Sequence, residues 1–398
     1  MKILCLLGSL LVLLSCGHRE STKETNAGPV QDLPSPVGDS SSLPHLFSDA
    51  SGRVFLSWVV KRAGNAQLMY SRWEANGWTK PELVSEGTNW FVNWADYPML
   101  TANEDRLLAH FLQKSDTGKY TYDVMVTAAP DGKTWGPAKV LHDDQLKAEH
   151  GFVSMLPYRD GFFVCWLDGR KTATEENDHH GHHGEMMLRA AFLDASGAKT
   201  DEWELDGRVC DCCQTSAAIT PDGPVVVYRD RSASEIRDIS IVRFSEGGWS
   251  PPHPVHNDGW KIDACPVNGP RMEADGNSLA VAWFTGAGKE SKVLVAFSRD
   301  GGKSFEKPIR VDSGKAIGRV DLVFADSTSV VVSWLEGSEL RAARVHADGK
   351  MEPPLRIAST SESRRSGFPQ LARAGDRLIF AYTDERKARV SVSFLELK

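Results

Sequence analysis

Leu279-Ala280-Val281-Ala282-Trp283, an apolar stretch closing on an aromatic ring, is one of seven such stretches in this chain. The others are VFLSW ending at Trp58, LLAHF at Phe111, FFVCW at Trp166, VVVY at Tyr228, VVVSW at Trp334 and LIFAY at Tyr382. In chain order the closing aromatics lie 53, 55, 62, 55, 51 and 48 residues apart. A self-similar period of about 40 to 50 residues belongs to propeller blades. The chain is therefore predicted to be an all-β propeller of four-stranded antiparallel blades, seven in number with six as the alternative count. A large β-sandwich is the competing architecture.

Around each aromatic the order of segments is constant. A first strand near Pro or Gly (PHLFSDASG from Pro44, YPMLTANED from Tyr97, FPQLARAGD from Phe368) precedes a turn and the aromatic-ended strand. A third strand (VLVAFSRDGG from Val293) and a fourth (FEKPIRV from Phe305) follow. Short period-2 apolar stretches bounded by Gly, Asp and Asn are strand and hairpin signals, and no segment sustains a 3.6-residue period. The last unit holds only three strands before Lys398, and Pro29 to Gly38 (PVQDLPSPVG) reads like the fourth strands of the other units. Borrowing it would close the ring and remove exposed sheet edges.

Lys2 and the apolar run Ile3 to Leu14 precede Leu13-Leu14-Ser15-Cys16-Gly17. The run is too short for a bilayer span of about 20 residues; it resembles the signal peptide and lipobox of the bacterial lipoprotein class. The resemblance implies a signal at residues 1–15, lipidation of Cys16, a Ser/Thr/Pro-rich tether over residues 16–42 and a propeller over residues 43–398. The expected location is a bacterial membrane, reached by export and held by the lipid, on the periplasmic or cell-surface side of the outer membrane. The formal charge of −7 gives a nucleic-acid partner no electrostatic support.

Because successive strands run antiparallel, the second-to-third connections and the handovers between blades share one face. The chemically unusual residues gather there. Cys210, Cys212 and Cys213, in Val209-Cys-Asp-Cys-Cys-Gln-Thr215, lie where unit three hands over to unit four; Cys265 and His150 lie at the handovers on either side. Four thiols and an imidazole can converge at the channel mouth, a donor set that suits copper(I) or zinc. Two disulfides, or reduced structural thiols, are the alternatives in an exported protein. The His179 to His183 cluster can add ligands or be a solvated loop, and Cys165, beside Trp166, reads as a buried apolar residue.

The segment Tyr228 to Asp238 is a dense run of charge, and Asp/Arg pairs also follow the aromatic in Trp166-Leu-Asp168-Gly-Arg170 and Tyr382-Thr-Asp384-Glu-Arg386. The pairs read either as turn-stabilising ion pairs or as an anion site in which guanidinium forks grip a carboxylate.

Ser298-Arg-Asp300-Gly-Gly-Lys-Ser-Phe305 fits the Asp-box pattern, and Ala128 to Trp135 is a degenerate copy. With these turns the chain resembles the sialidase superfamily over nearly all of residues 44–398. The resemblance implies an exo-glycosidase releasing terminal sialic acid or a similar acidic sugar, with Tyr228 as nucleophile, Glu235 as its base and Asp230 or Asp168 as the acid. Arg231, Arg271 and Arg319 would form the carboxylate-binding triad, with Arg237 beside them. The chain departs from the family in lacking a Phe/Tyr-Arg-Ile-Pro motif before its first unit. Three functions stay open: this hydrolase, a copper- or zinc-binding or redox propeller, and a non-catalytic surface module that binds glycan or protein.

Overall fold

A strand that is apolar on both faces must be covered on both sides, and stacked sheets satisfy this by facing one another around a ring. The computed structural model describes residues 28–74, 77–172 and 184–397. It is a seven-bladed β-propeller of antiparallel sheets, with three short 3₁₀ turns among the described residues. The signal segment 1–15, Cys16 and the His179 to His183 cluster lie outside the described residues.

Blade 3 shows the plan: His150–Tyr158, Gly161–Asp168, Met187–Leu193 and Lys199–Asp206 pair in that order. Blade 7 joins Gln370–Ala374, Arg377–Asp384 and Arg389–Glu396 to Gln31–Leu33, whose residues pair with Val392 to Phe394. The fourth strand of the last blade thus comes from the start of the described chain.

The seven repeated aromatics sit in the second strands and are all buried, Trp166, Trp283 and Trp334 completely. An indole or phenol at such depth needs a partner for its polar atom. Trp166 Nε1 donates to Asp168 Oδ2 (2.9 Å) and Trp334 Nε1 to Glu336 Oε2 (2.9 Å), each an acid two residues on. Trp283 Nε1 donates to Asp258 Oδ2 (2.7 Å), on the preceding connection, and Tyr228 Oη to Asp206 Oδ2 (2.6 Å), at the end of the last strand of blade 3. In the Trp166 and Trp334 units the acid that follows the aromatic is therefore a part of the blade.

In the turn Ser298 to Phe305, Asp300 Oδ1 accepts from Ser304 N (2.9 Å) and Ser298 Oγ accepts from Gly302 N (2.9 Å). Gly302 has φ +81°, a backbone conformation that calls for glycine, and a Cβ there would press on Ile241 Cδ1 at 2.7 Å.

First strands face the axis and line a central cavity of about 800 Å³, to which Ser154, Ser216, Glu273, Asp321 and Gln370 contribute from five different blades. Glu273 accepts a hydrogen bond from Phe324 N (2.7 Å), yet burial pushes its carboxyl up to about 7. A carboxyl whose folded-state value is raised favours the folded state when protonated, and that contribution is lost as pH climbs from its unfolded value through about 7. Glu273→Gln is therefore expected to gain stability relative to the parent as pH rises from about 5 to 8, read from guanidinium midpoints across that range. A difference that stays flat with pH would count against a protonated Glu273.

Candidate functional site

The handover from blade 3 to blade 4 runs Val209 to Thr215, and its start is anchored to the segment after the second strand of blade 4. Val209 forms a β-bridge with Asp230, and Cys210 N donates to Arg229 O (3.1 Å). A tight turn then aims three thiols at one another. Cys210 Sγ lies 3.6 Å from Cys213 Sγ and 4.0 Å from Cys212 Sγ, and the three sulfurs lie within 4.8 Å of one another. Cys265, from the handover between blades 4 and 5, approaches Cys212 from the exposed side. These four and Cys165 are all free thiols.

The electrostatics divide the cluster. Hydrogen bonding with Cys212 and Cys213, joined by the charges of Arg237 and Arg229, holds Cys210 well below the ordinary thiol range. Arg237 Nη1 lies 3.3 Å from Cys210 Sγ. Cys265 is lowered by its bond with Cys212, whereas Cys212 is pushed up by the sulfurs around it and Cys213 chiefly by burial. Cys213 Sγ in turn accepts from Asn268 N (3.4 Å). Cys210 and Cys265 are thus the two of the four sulfurs shifted toward ionisation.

Arg229, which nothing in the sequence pattern singled out from its neighbours, fixes this arrangement. It is 1% exposed and stacks over Trp260. Its guanidinium donates to Asn268 O (3.0 and 2.8 Å), Arg237 O (2.6 Å) and Phe284 O (2.7 Å), tying together the connections that carry Cys265 and Arg237.

The residues assigned to hydrolysis are placed differently from the expectation. Tyr228 is buried with its hydroxyl committed to Asp206, and burial followed by the Asp206 charge raises it well above the ordinary phenol range. Its hydrogen bond goes to Asp206, while Glu235 is engaged by Arg231, Arg237 and Arg208. Asp230 accepts from Arg231 N (2.6 Å) and Ser240 Oγ (2.9 Å); Asp168 is taken up by Trp166 and a two-pronged contact with Arg170.

The arginines serve separate neighbourhoods. Arg231 bridges Glu235 and Asp211, whereas Arg271 lines the channel against Tyr97 Oη. Arg319 donates to Ser363 O, Ser366 Oγ and Gly367 O and stacks over Trp94.

His150 does not join the sulfurs. Its ring stacks on His142 with centroids 3.6 Å apart, and its Nε2 bonds Asp144 Oδ2 (2.8 Å). A phenol between two acids does occur, but in blade 2: Tyr122 Oη bonds Glu149 Oε1 (2.8 Å) and Asp96 Oδ2 (3.1 Å). Burial raises Asp96 to about 7 and Glu149 to about 8.

No family profile matches this sequence, and no curated protein matches it. Solved structures do. The α-L-arabinofuranosidase Arb93A of Fusarium graminearum aligns at a TM-score of 0.51 and 12% identity over 94% of this chain and 99% of its own. A Hadza microbial sialidase aligns at a TM-score of 0.45 and 15% identity over 75% of this chain, which spans 63% of that protein. A puromycin-hydrolysing peptidase of Mycobacterium tuberculosis aligns at 0.49 and 12% identity over 92% of this chain and 56% of its own. At such identities the arabinofuranosidase match establishes the propeller fold alone.

Proposed function

We propose that this propeller binds a thiophilic metal ion, copper(I) or zinc(II), through Cys210, Cys212, Cys213 and Cys265. One observation carries the reading. A tetrahedral ion with metal–sulfur bonds of about 2.3 Å holds its sulfurs about 3.8 Å apart, and the Cys210 sulfur lies 3.6 and 4.0 Å from its two neighbours. Cys210, Cys212 and Cys213 supply a nearly preformed face, and Cys265 closes the fourth side from an exposed position. An ion reachable through one exposed thiol suits exchange with a partner's donor. The function is then capture and transfer of a soft metal at a bacterial membrane, on its periplasmic or cell-surface side, with Cys16 carrying the lipid anchor. Purification without chelator, elemental analysis and thiol titration test it. Close to one copper or zinc per chain, with the four thiols protected until the ion is stripped, supports the reading; none bound after loading with either ion overturns it.

A second reading, hydrolysis of a glycoside ending in sialic acid or another acidic sugar, is favoured by the Tyr122 hydroxyl held between Glu149 and Asp96. It expects release of the fluorophore from a fluorogenic sialoside that Tyr122→Phe abolishes; no turnover on acidic sugars would remove it.

A further inference from the structure

Between blades 2 and 3 a second set of metal-ligating side chains converges, independent of the thiols. His142 follows the fourth strand of blade 2, Lys139–Val140, and His150 begins the first strand of blade 3, His150–Tyr158. Their parallel rings are tied together from one side by a single carboxylate. His142 Nδ1 bonds Asp144 Oδ1 (3.0 Å) and His150 Nε2 bonds Asp144 Oδ2 (2.8 Å). Leu146 N (3.1 Å) and the Arg170 guanidinium (3.3 Å) hold that carboxylate in turn.

A carboxylate that accepts from one ring nitrogen of each histidine leaves the other nitrogen of each with a free lone pair. Those are His142 Nε2 and His150 Nδ1, and both are buried without a hydrogen-bond partner among the described residues. The side chains concerned are 2% and 0% exposed, a depth at which an unpartnered polar atom is costly. Asp123 Oδ1, likewise buried and without a hydrogen bond, lies 3.6 Å from His142 Nε2. The His142 ring is the one ionic neighbour of Asp123 among the described residues. One ligand atom from each of Asp123, His142 and His150 lies within 4.8 Å of the other two.

We infer that Asp123, His142 and His150 form a binding site for a divalent transition-metal ion, zinc being the best fit. Two imidazole nitrogens and a carboxylate oxygen are hard-to-borderline donors, unlike the sulfurs of the Cys210 cluster, and tetrahedral zinc with bonds of about 2.0 to 2.1 Å sets its ligand atoms about 3.3 Å apart. A small contraction of the 3.6 Å pair and a tilt of the two rings out of their parallel stack, so that their lone pairs converge instead of running side by side, supply that spacing. Asp144 takes the part of the outer carboxylate that fixes ring orientation and raises ligand basicity. Three protein ligands leave a fourth position for water, on the side where the Asp123 side chain is 17% exposed.

The test uses the full chain carrying Cys212→Ser and Cys265→Ser, which disables the thiol site while leaving the two buried cysteines in place. Titration with cobalt(II), followed by its visible d–d bands and by zinc competition, is expected to give one site per chain. His142→Gln abolishes it, Asp123→Asn weakens it at least tenfold, and Asp144→Asn, which touches no metal, weakens it by about 10- to 100-fold. As a check that needs no variant, crystals of the parent chain soaked in zinc should show an anomalous peak between Asp123 and the two rings. No saturable cobalt(II) binding by a protein whose circular dichroism is that of the parent, binding indifferent to Asp123→Asn, or a soaked crystal without the peak would each overturn the assignment. Failure of the thiol site alone leaves these readouts unchanged, so the two sites stand or fall separately.

Discussion

With Cys210 changed to serine, affinity for copper(I) is expected to fall about 10²- to 10³-fold. Cysteine-rich zinc sites bind with about 10 to 16 kcal/mol; one of four ligands accounts for about 3 to 4 kcal/mol of that, and each 1.4 kcal/mol is tenfold. Cys210 is the member to remove because it touches both neighbouring sulfurs and is the thiol that Arg237 draws toward the thiolate form. Competition with a chromophoric copper(I) chelator reads the change. Cys165→Ser is the control: its thiol is buried against Thr215 Oγ1 (3.7 Å), outside the sulfur cluster, and its loss should leave the affinity within twofold of the parent. Equal losses from both variants would mean that the effect is a general consequence of altering a buried cysteine.

Arg229→Met is expected to cost about 3 kcal/mol of stability and, in the protein that remains folded, about tenfold in metal affinity. Methionine fills much of the same volume over Trp260 but leaves the carbonyls of Asn268, Arg237 and Phe284 without the donors they now have. Those carbonyls are too deep for easy replacement by water, and hydrogen bonds to a charged donor each contribute about 1.5 to 3 kcal/mol. Asn268 and Arg237 both contact the sulfurs, so loosening their segments also blurs the site. Arg229→Lys should recover only part of either quantity, since an ammonium cannot span three carbonyls as a planar fork does. Guanidinium unfolding and the copper competition assay measure the two effects; a variant as stable as the parent would remove Arg229 from the account.

The fold was legible because the residues that build it recur in every blade. An aromatic at the end of the second strand must be buried wherever the blade is stacked, so the seven rings from Trp58 to Tyr382 mark the units however much the connections vary. The thiols were legible for a local reason: Cys210, Cys212 and Cys213 occupy one turn, and Cys265 occupies the equivalent handover one blade along.

Residues whose partners come from another blade or a distant turn could not be read this way. The Tyr228 hydroxyl is claimed by Asp206, at the end of blade 3, and Arg319 by the turn that precedes blade 7. His150 occupies the expected handover, but its ring turns toward His142 and Asp144 instead of the channel mouth. The run His142-Asp143-Asp144 followed eight residues after its first member by His150 was the available signal for that cluster, and it needed the strand register to become visible. The trio Tyr122, Asp96 and Glu149 carries no sequence mark at all, because its members meet only through the stacking of blades 2 and 3.

Copper K-edge X-ray absorption on the full chain loaded with one equivalent of copper(I) puts the central claim to its most direct test. A first shell made of sulfur alone, lost in Cys210→Ser, is the result expected of an ion seated among Cys210, Cys212, Cys213 and Cys265. A shell of nitrogen and oxygen, or copper that washes off a desalting column, would contradict it.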